Sequence, residues 1–312
     1  MEYIWLIVGF ILLVKGADYF VDGASSVAGK LKIPSLIIGL TVVSMGTSLP
    51  EAAVSISASL GGNNGISLGN VIGSNIFNLL VVVGVSCIIL PILTDTAVLK
   101  RDMPIAIGIT AALCVMLFDG VLSRLDAVIL LILFVGYLAL LLVSALKNRV
   151  EEPEQKLLSW PKSIIFCILG AAAIIEGGQL VVNSAKTIAS SLGMSETLIG
   201  LTVVAIGTSL PELVTSIVAA RKGDSGIAMG NVVGSNIFNI LFVLGLSGVI
   251  SPMTTDAAFF IDSGILIAVS LVMWFFAFTK RKTGRVEGAI AVLMYVAYTA
   301  YIIMRAFHIW IF

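Results

Sequence analysis

The chain has 312 residues, of which 59% are hydrophobic and 12% are charged, and its 18 basic and 18 acidic side chains leave no formal net charge. Soluble domains usually carry about 25% charged residues, and nucleic-acid-binding proteins usually carry an excess of lysine and arginine. Both classes are therefore excluded. The recurring apolar stretches predict an all-α polytopic protein that lies in a lipid bilayer.

Ten membrane-spanning helices are predicted from windows of about 20 residues. The first of them lacks the basic flank and the cleavage site of a signal peptide, so we expect it to be retained. The ten predicted spans lie at 3–29, 33–60, 65–90, 104–119, 123–146, 162–189, 195–220, 226–250, 260–279 and 286–307.

A polar segment, NRVEEPEQK at 148–156, divides the chain into two halves. This segment is too short to fold as a domain of its own, so we expect it to act as a linker. The sequence therefore predicts a first five-helix repeat at 1–147, a linker at 148–160 and a second five-helix repeat at 161–312.

Lysine and arginine indicate the orientation, because those beside membrane helices are preferentially left in the cytoplasm. Most of the 18 basic residues follow odd-numbered spans, and only Arg124, Lys186 and Arg305 flank the opposite ends. This asymmetry predicts a protein of the cell membrane whose 148–156 linker is cytoplasmic and whose N- and C-termini both lie outside.

An internal duplication appears when the chain is shifted by 161 residues. The segment at 39–84 then matches the segment at 200–245, with 29 of 46 positions identical. Shared hydrophobicity alone does not give such a match, so we interpret these segments as two copies of one repeat. Because each half has five spans, the second copy enters the membrane from the opposite side, which predicts an inverted repeat with a substrate site near the midplane.

Both copies contain the motif GTSLPE, at 46–51 and 207–212. The proline lacks the N–H that would bond to the carbonyl four residues earlier, so Gly46 and Gly207 are each left with a free carbonyl. A free carbonyl within a membrane is tolerated only where it lines a protein or water cavity. The motif therefore predicts broken helices at the midplane, where a polar ligand binds.

Oxygen-bearing side chains line one face of each copy. In the first copy, Ser44, Ser48, Glu51 and Ser55 recur at spacings of three and four residues, which places them on one helix face. The second copy repeats the pattern with Thr208, Ser209, Glu212 and Ser216. In the span that follows each motif, polar residues recur every four positions: Asn70, Ser74 and Asn78 in the first copy, and Asn231, Ser235 and Asn239 in the second. Carboxylate, carbonyl, amide and hydroxyl oxygens, without histidine or cysteine, are the ligands that Na⁺ and Ca²⁺ prefer.

A single serine or threonine in a membrane helix most often bonds to its own backbone, so one hydroxyl by itself indicates little. A glutamate is different, because an ionisable side chain at the centre of a membrane helix costs about 2.5–3.5 kcal/mol. Glu51 and Glu212 occupy matched positions in the two copies. Function is therefore the favoured interpretation of this pair. Glycines on the next spans, Gly69, Gly73, Gly230 and Gly234, would allow helices to approach closely.

The two copies resemble the α-repeats of the sodium/calcium exchanger family, of the prokaryotic type without a regulatory domain. GTSLPE is one part of the resemblance, and GNVIGSNIFN at 69–78 with GNVVGSNIFN at 230–239 is the other. The resemblance implies that Glu51 and Glu212 bind Ca²⁺ and compete for it with Na⁺, and that the first and sixth helices slide across a fixed core. It also implies calcium-binding carbonyls at Thr47 and Thr208, and sodium sites formed by Ser48, Ser74, Ser209 and Ser235 with the backbone oxygens of Ser44 and Ala205.

The amides of Asn78 and Asn239 depart from some family members, which carry aspartate at one of these positions. The centre then holds two formal negative charges, which balance one Ca²⁺ or two Na⁺. The resemblance leads us to expect electrogenic exchange, and the missing carboxylate leads us to expect no requirement for K⁺.

Two other transport classes are alternatives to Na⁺/Ca²⁺ antiport. Proton/calcium exchangers of the same superfamily, which typically show GN-x-x-E in place of GTSLPE, are the first alternative, and a cation channel is the second. A protease is disfavoured because the duplicated segments that contain Ser48 and Ser209, at 39–84 and 200–245, include no histidine base. We expect no enzymatic activity, no cofactor and no obligate protein partner. The expected partners are Ca²⁺, Na⁺ and the lipid bilayer.

Overall fold

The structure is a computed structural model that describes residues 1–149, 157–193, 205–255 and 257–306, most of them in helices. The helices are α1 (Glu2–Leu31), α2 (Ser35–Thr47), α3 (Leu49–Leu60), α4 (Asn64–Ile89), α5 (Val98–Asp119), α6 (Arg124–Lys147), α7 (Trp160–Ser191), α8 (Ala205–Thr208), α9 (Leu210–Arg221), α10 (Ser225–Ile250), α11 (Ala257–Lys280) and α12 (Arg285–Ala306).

Within the described ranges, eight helices are long and apolar enough to cross a membrane, or nine if α2 and α3 form one span with a bend of 49°. Ten spans were predicted, and the seventh, at 195–220, is described only from Ala205 onward. Residues 150–156 of the linker and the C-terminal residues 307–312 also lie outside the described ranges. The ten-span count therefore stays a prediction.

Helices α4 and α10 form the centre of the molecule. In their most apolar windows, 72% and 78% of the residues are buried, compared with 17% in α12. The outer helices present large apolar side chains at their surface, such as Ile132 and Leu293, which are 64% and 67% exposed. This distribution fits a protein whose surroundings are hydrocarbon and whose polar groups face inward.

The two central helices are interrupted at matched positions. A π-helical turn covers Asn78–Val82 in α4, and another covers Asn239–Leu244 in α10. Such turns are frequent at functional sites because they add a residue to one turn and rotate the side chains that follow. Each begins at one of the two predicted site asparagines.

The predicted break in the second span lies at Ser48, between α2 and α3. Pro50 occupies the first turn of α3, where its missing N–H leaves no additional carbonyl unpaired within that helix. The matching break separates α8 and α9 at Ser209, with Pro211 in the first turn of α9. The broken helices that the two proline motifs predicted are therefore present in both copies.

The fourth span begins at Val98, six residues before the predicted boundary. Hydropathy placed Arg101 in a loop, whereas the structure includes it in a π-helical turn at Val98–Asp102. Arg101 is tolerated there because its guanidinium donates to both carboxylate oxygens of Asp102, at 2.8 and 3.0 Å, and to the hydroxyl of Ser144.

Two short antiparallel strand pairs connect the halves of the chain. Strand β1 (Ile92–Leu93) pairs with β4 (Lys282–Thr283), and β2 (Val121–Leu122) pairs with β3 (Met253–Thr254). A shift of 161 residues converts the register of one pair into the register of the other. The duplication seen in sequence is therefore repeated in the hydrogen bonding between the two halves.

Helices α1 and α7 are in close contact along glycines spaced seven residues apart. A Cβ added at Gly16 would lie 2.9 Å from the carbonyl oxygen of Gly170, and one at Gly170 would lie 2.6 Å from the backbone nitrogen of Phe20. Gly9 and Gly177 make the same kind of contact. Because no larger side chain fits at these points, the two helices pack backbone against backbone.

Candidate cation-binding site

The two glutamates of the duplicated motif lie in the first turns of α3 and α9, and both are fully buried. The free N–H groups and the dipole at a helix N-terminus favour a carboxylate at this position. Serine is the residue immediately before each helix, Ser48 in the first copy and Ser209 in the second. Because the motif is the same and both helices begin at the same point in it, each break carries one serine hydroxyl and one glutamate carboxylate.

The hydroxyls and carboxylates are paired between the copies rather than within them. Ser48 Oγ donates to Glu212 Oε1 at 2.7 Å, and Ser209 Oγ donates to Glu51 Oε1 at 3.0 Å. These crossed hydrogen bonds require the two breaks to face each other. Both glutamates consequently belong to one site at the junction of the repeats.

Several buried oxygen atoms in this region have no hydrogen-bond partner in the described part of the chain. Buried polar atoms in proteins are normally paired, and unpaired acceptors indicate a site for a ligand that the protein itself does not supply. The atoms are Glu51 Oε2, Glu212 Oε2, Asn78 Oδ1, Asn239 Oδ1, Ser74 Oγ and Thr208 Oγ1. Carboxylate and amide oxygens of this kind are suitable ligands for Na⁺ and Ca²⁺.

The predicted site residues are almost all in the interior. Ala205 is the first described residue of α8, and its side chain lies outside the described part. The other eleven, each at most 8% exposed, are Ser44, Thr47, Ser48, Glu51, Ser74, Asn78, Thr208, Ser209, Glu212, Ser235 and Asn239.

Contacts join some of these residues directly. Ser235 Oγ lies 3.4 Å from both Glu212 Oε1 and the backbone oxygen of Ser44, which brings α10 against both broken helices. Ser74 and Thr208 are buried, but among the described residues their hydroxyls make no hydrogen bond. Among the described residues, the Glu212 carboxylate therefore accepts hydrogen bonds from two serines and the Glu51 carboxylate from one.

The broken helices are held to the central helices by two further asparagines. Asn70 Nδ2 donates to the backbone oxygen of Glu51 at 3.1 Å, and Asn231 Nδ2 donates to that of Glu212 at 3.3 Å. The same amides bond to Ser55 and Ser216, each at 2.9 Å. The predicted oxygen-lined faces therefore include residues that position the glutamate backbone.

Two asparagines that sequence reasoning did not select also lie at the centre. Asn75 accepts a hydrogen bond from Asn239 Nδ2 at 3.1 Å, and Asn236 accepts one from Asn78 Nδ2 at 3.2 Å. Their only signal was their place within the repeated GSNIFN stretch. Helical spacing did not separate them from ordinary packing residues.

A cavity lies beside one of the two central helices, next to Ser74 of the candidate site. A cavity of about 510 Å³ reaches the first-copy face of α4 at Gly69, Asn70, Gly73 and Ser74, and its other walls come from α11 and α12. On the second-copy face, α2 covers the matching glycines, since a Cβ at Gly230 would lie 2.8 Å from the carbonyl oxygen of Leu36. The predicted close approach at glycine thus occurs on α10. Among the described residues Gly69 and Gly73 of α4 border the cavity, and residues 194–204, which match 33–43 of the first copy, lie outside the described ranges.

Comparison with known proteins identifies the family. The profile described as "Sodium/calcium exchanger protein" matches residues 1–143 and 162–304. This chain belongs to the sodium/calcium exchanger family. The resemblance noted from its two α-repeats is thereby confirmed.

Relatives of the exchanger match it over nearly their full length. The chain is 40% identical over 311 residues to the putative antiporter CaxA of Alkalimonas amylolytica, covering 95% of this chain and 96% of that protein. It is 36% identical over 341 residues to the sodium/calcium exchanger MaX1 of Methanosarcina acetivorans, covering 96% and 97%. A solved structure of the sodium-calcium exchanger NCX_Mj superposes with a TM-score of 0.85 at 35% identity, covering 96% of this chain and 98% of that one.

Family membership and the apolar helices together identify a multi-pass membrane protein that acts as a cation/Ca²⁺ antiporter. The family consists of exchangers rather than enzymes. The crossed serine–glutamate pairs and the unpaired buried oxygens are the features of this chain that suit such a task.

Proposed function

We propose that this exchanger moves Ca²⁺ in one direction and Na⁺ in the other by alternating access. The observation that carries the proposal is the pair of buried carboxylates, Glu51 and Glu212, each held by a serine of the opposite repeat and each with one oxygen left unpaired. A site built only from such oxygens suits hard cations. The similarity to MaX1 and NCX_Mj, both of which are named sodium/calcium exchangers, supports Na⁺ as the counter-ion.

In the proposed site, Glu51 and Glu212 bind Ca²⁺ together with the backbone carbonyls of Thr47 and Thr208. The sodium sites use Ser48, Ser74, Ser209 and Ser235 with the backbone oxygens of Ser44 and Ala205, and Asn78 and Asn239 supply central amide oxygens. Two carboxylates balance one Ca²⁺ or two Na⁺. Exchange of more than two Na⁺ for each Ca²⁺ then moves net charge, and no third carboxylate is available to favour K⁺.

The proposed architecture is ten spans in two inverted five-helix repeats, with both termini outside and the linker in the cytoplasm. The crossed contacts support it, because Ser48–Glu212 and Ser209–Glu51 are interchanged by a shift of 161 residues, as are the two strand pairs. A repeat related by a two-fold axis in the membrane plane produces this reciprocity.

Alternating access is supported by the cavity that the described residues leave beside α4. In the proposed orientation this cavity lies toward the outside, and α2 covers the matching face of α10 toward the cytoplasm. The backbone contact of α1 with α7 supports movement of these two helices as one unit. Sliding of that unit would open one face and close the other.

The test is uptake of radiolabelled Ca²⁺ into vesicles that contain the purified protein. Vesicles loaded with Na⁺ should take up Ca²⁺ rapidly, whereas vesicles loaded with K⁺ or held under a proton gradient should not. Uptake driven by protons would favour H⁺/Ca²⁺ exchange. Equal flux without any gradient would favour a channel, and either result would overturn the proposal.

A further inference from the structure

Four asparagine side chains form a closed set of hydrogen bonds where α4 crosses α10. Asn75 and Asn78 lie on α4, and Asn236 and Asn239 lie on α10. All four are buried, with exposures of 6% or less. Each helix contributes one amide that bonds to the backbone of the other helix and one amide that bonds to a side chain of the other helix.

The first amide of each pair is fixed by a backbone carbonyl. Asn75 Nδ2 donates to the carbonyl oxygen of Asn236 at 3.0 Å, and Asn236 Nδ2 donates to that of Asn75 at 3.2 Å. A carbonyl oxygen can only accept, so the NH₂ end of each amide must face it. The Oδ1 end is then directed to the opposite side.

The orientation of the first amide on each helix determines the orientation of the second amide on the other helix. Asn75 Oδ1 accepts from Asn239 Nδ2 at 3.1 Å, and Asn236 Oδ1 accepts from Asn78 Nδ2 at 3.2 Å. Because the NH₂ groups of Asn78 and Asn239 are used in this way, their Oδ1 atoms point away from the set. These two Oδ1 atoms are buried and have no hydrogen-bond partner among the residues that the structure covers.

We propose that Asn75 and Asn236 are positioning residues that hold the carbonyl ends of Asn239 and Asn78 toward the transported cation. An amide turned the other way would present N–H groups, which repel a cation. An amide that cannot turn supplies a fixed neutral ligand without the charge of an additional carboxylate. The inference rests on the proposed function, because it assumes that cations occupy the centre of the site.

The contacts are crossed, and this provides a specific test. Removing the Asn75 amide with Asn75→Leu frees the amide of Asn239 to turn, so Ca²⁺ binding should weaken. Asn239→Asp removes the need for orientation, since both ends of a carboxylate are acceptors. Asn75→Leu should therefore do little in the Asn239→Asp background. Asn78→Asp is the matched control. It adds the same charge at the symmetry-related position but leaves the hydrogen bond between Asn239 and Asn75 unchanged.

The measurement is the Ca²⁺ concentration at which binding to purified protein in lipid nanodiscs is half-maximal, at fixed K⁺. Asn75→Leu should raise this Ca²⁺ concentration about tenfold in the wild-type and Asn78→Asp backgrounds, as expected for loss of one oriented buried ligand. In the Asn239→Asp background the rise should be less than about threefold. The contact between Asn236 and Asn78 is tested in the same way with Asn236→Leu. Here Asn78→Asp is the background in which the effect should be small, and Asn239→Asp is the matched control. This second set of variants serves as the test if Asn75→Leu does not fold.

Equal losses in all three backgrounds would overturn the positioning role, because a merely structural asparagine would weaken binding without regard to the residue at 239. Wild-type protein that binds no Ca²⁺ would instead overturn the proposed function. The two failures are thus distinguishable in one experiment.

Discussion

Replacement of one buried carboxylate by its amide, Glu212→Gln, should abolish most calcium exchange without unfolding the protein. In the structure Glu212 Oε1 accepts from Ser48 at 2.7 Å, and a glutamine oxygen can keep that bond. Oε2, which has no partner among the described residues, would become an NH₂ group directed into the site. The variant therefore removes the negative charge and adds two N–H groups in the proposed cation site.

The expected loss follows from the burial of the pair. In the proposed calcium-bound site the Glu212 carboxylate and Ca²⁺ form a buried pair of opposite charges. Removing one partner of such a pair costs about 3–5 kcal/mol, and each 1.4 kcal/mol is about a factor of ten in affinity. Calcium affinity should therefore fall by roughly 150- to 5,000-fold. Folding should be maintained, because a neutral amide is cheaper to bury than an isolated carboxylate.

The assay is sodium-driven Ca²⁺ uptake into vesicles, with thermal unfolding of the purified protein measured in parallel. Asp126→Asn is the control, because Asp126 receives hydrogen bonds from Ser123 at the start of α6 and lies outside the site. This control should exchange calcium normally. Near wild-type exchange by Glu212→Gln would refute the reasoning and move the site elsewhere.

Three other predictions concern topology, ion selectivity and helix packing. Cysteines introduced at the exposed, matched positions Gly61 and Lys222 in a cysteine-free background should react with impermeant reagents from opposite sides, Gly61→Cys from outside; labelling from the same side would contradict the inverted repeat. Replacing K⁺ by choline should leave sodium-driven calcium flux unchanged, and an absolute potassium requirement would contradict the two-carboxylate site. Gly170→Val should lower the free energy of unfolding by about 1–3 kcal/mol, because its Cβ would lie 2.6 Å from the Phe20 nitrogen. Gly136→Ala should leave the free energy of unfolding unchanged, because the described structure leaves open space at Gly136.

The sequence by itself determined the class of protein and selected the principal candidate ligands. Composition indicated a membrane protein because hydrocarbon excludes most charge, and the duplicated GTSLPE motif indicated broken helices because proline cannot complete the helical hydrogen bonds. Glu51 and Glu212 were identifiable because burying an ionisable group in a membrane is costly unless it has a function. These properties depend on single residues and their immediate neighbours in the chain.

Only the tertiary structure decided which groups face one another. The crossing of Ser48 to Glu212 and the orientation of Asn239 by Asn75 join residues 164 positions apart, and no periodicity within one helix specifies such contacts. The contacts of Ser235 with Glu212 and Ser44 also came from packing, since the matching Ser74 makes no hydrogen bond among the described residues although its sequence neighbours are nearly the same. Repeated sequence sets equivalent local structure, but the described contacts of the two copies differ where their neighbours in the fold differ.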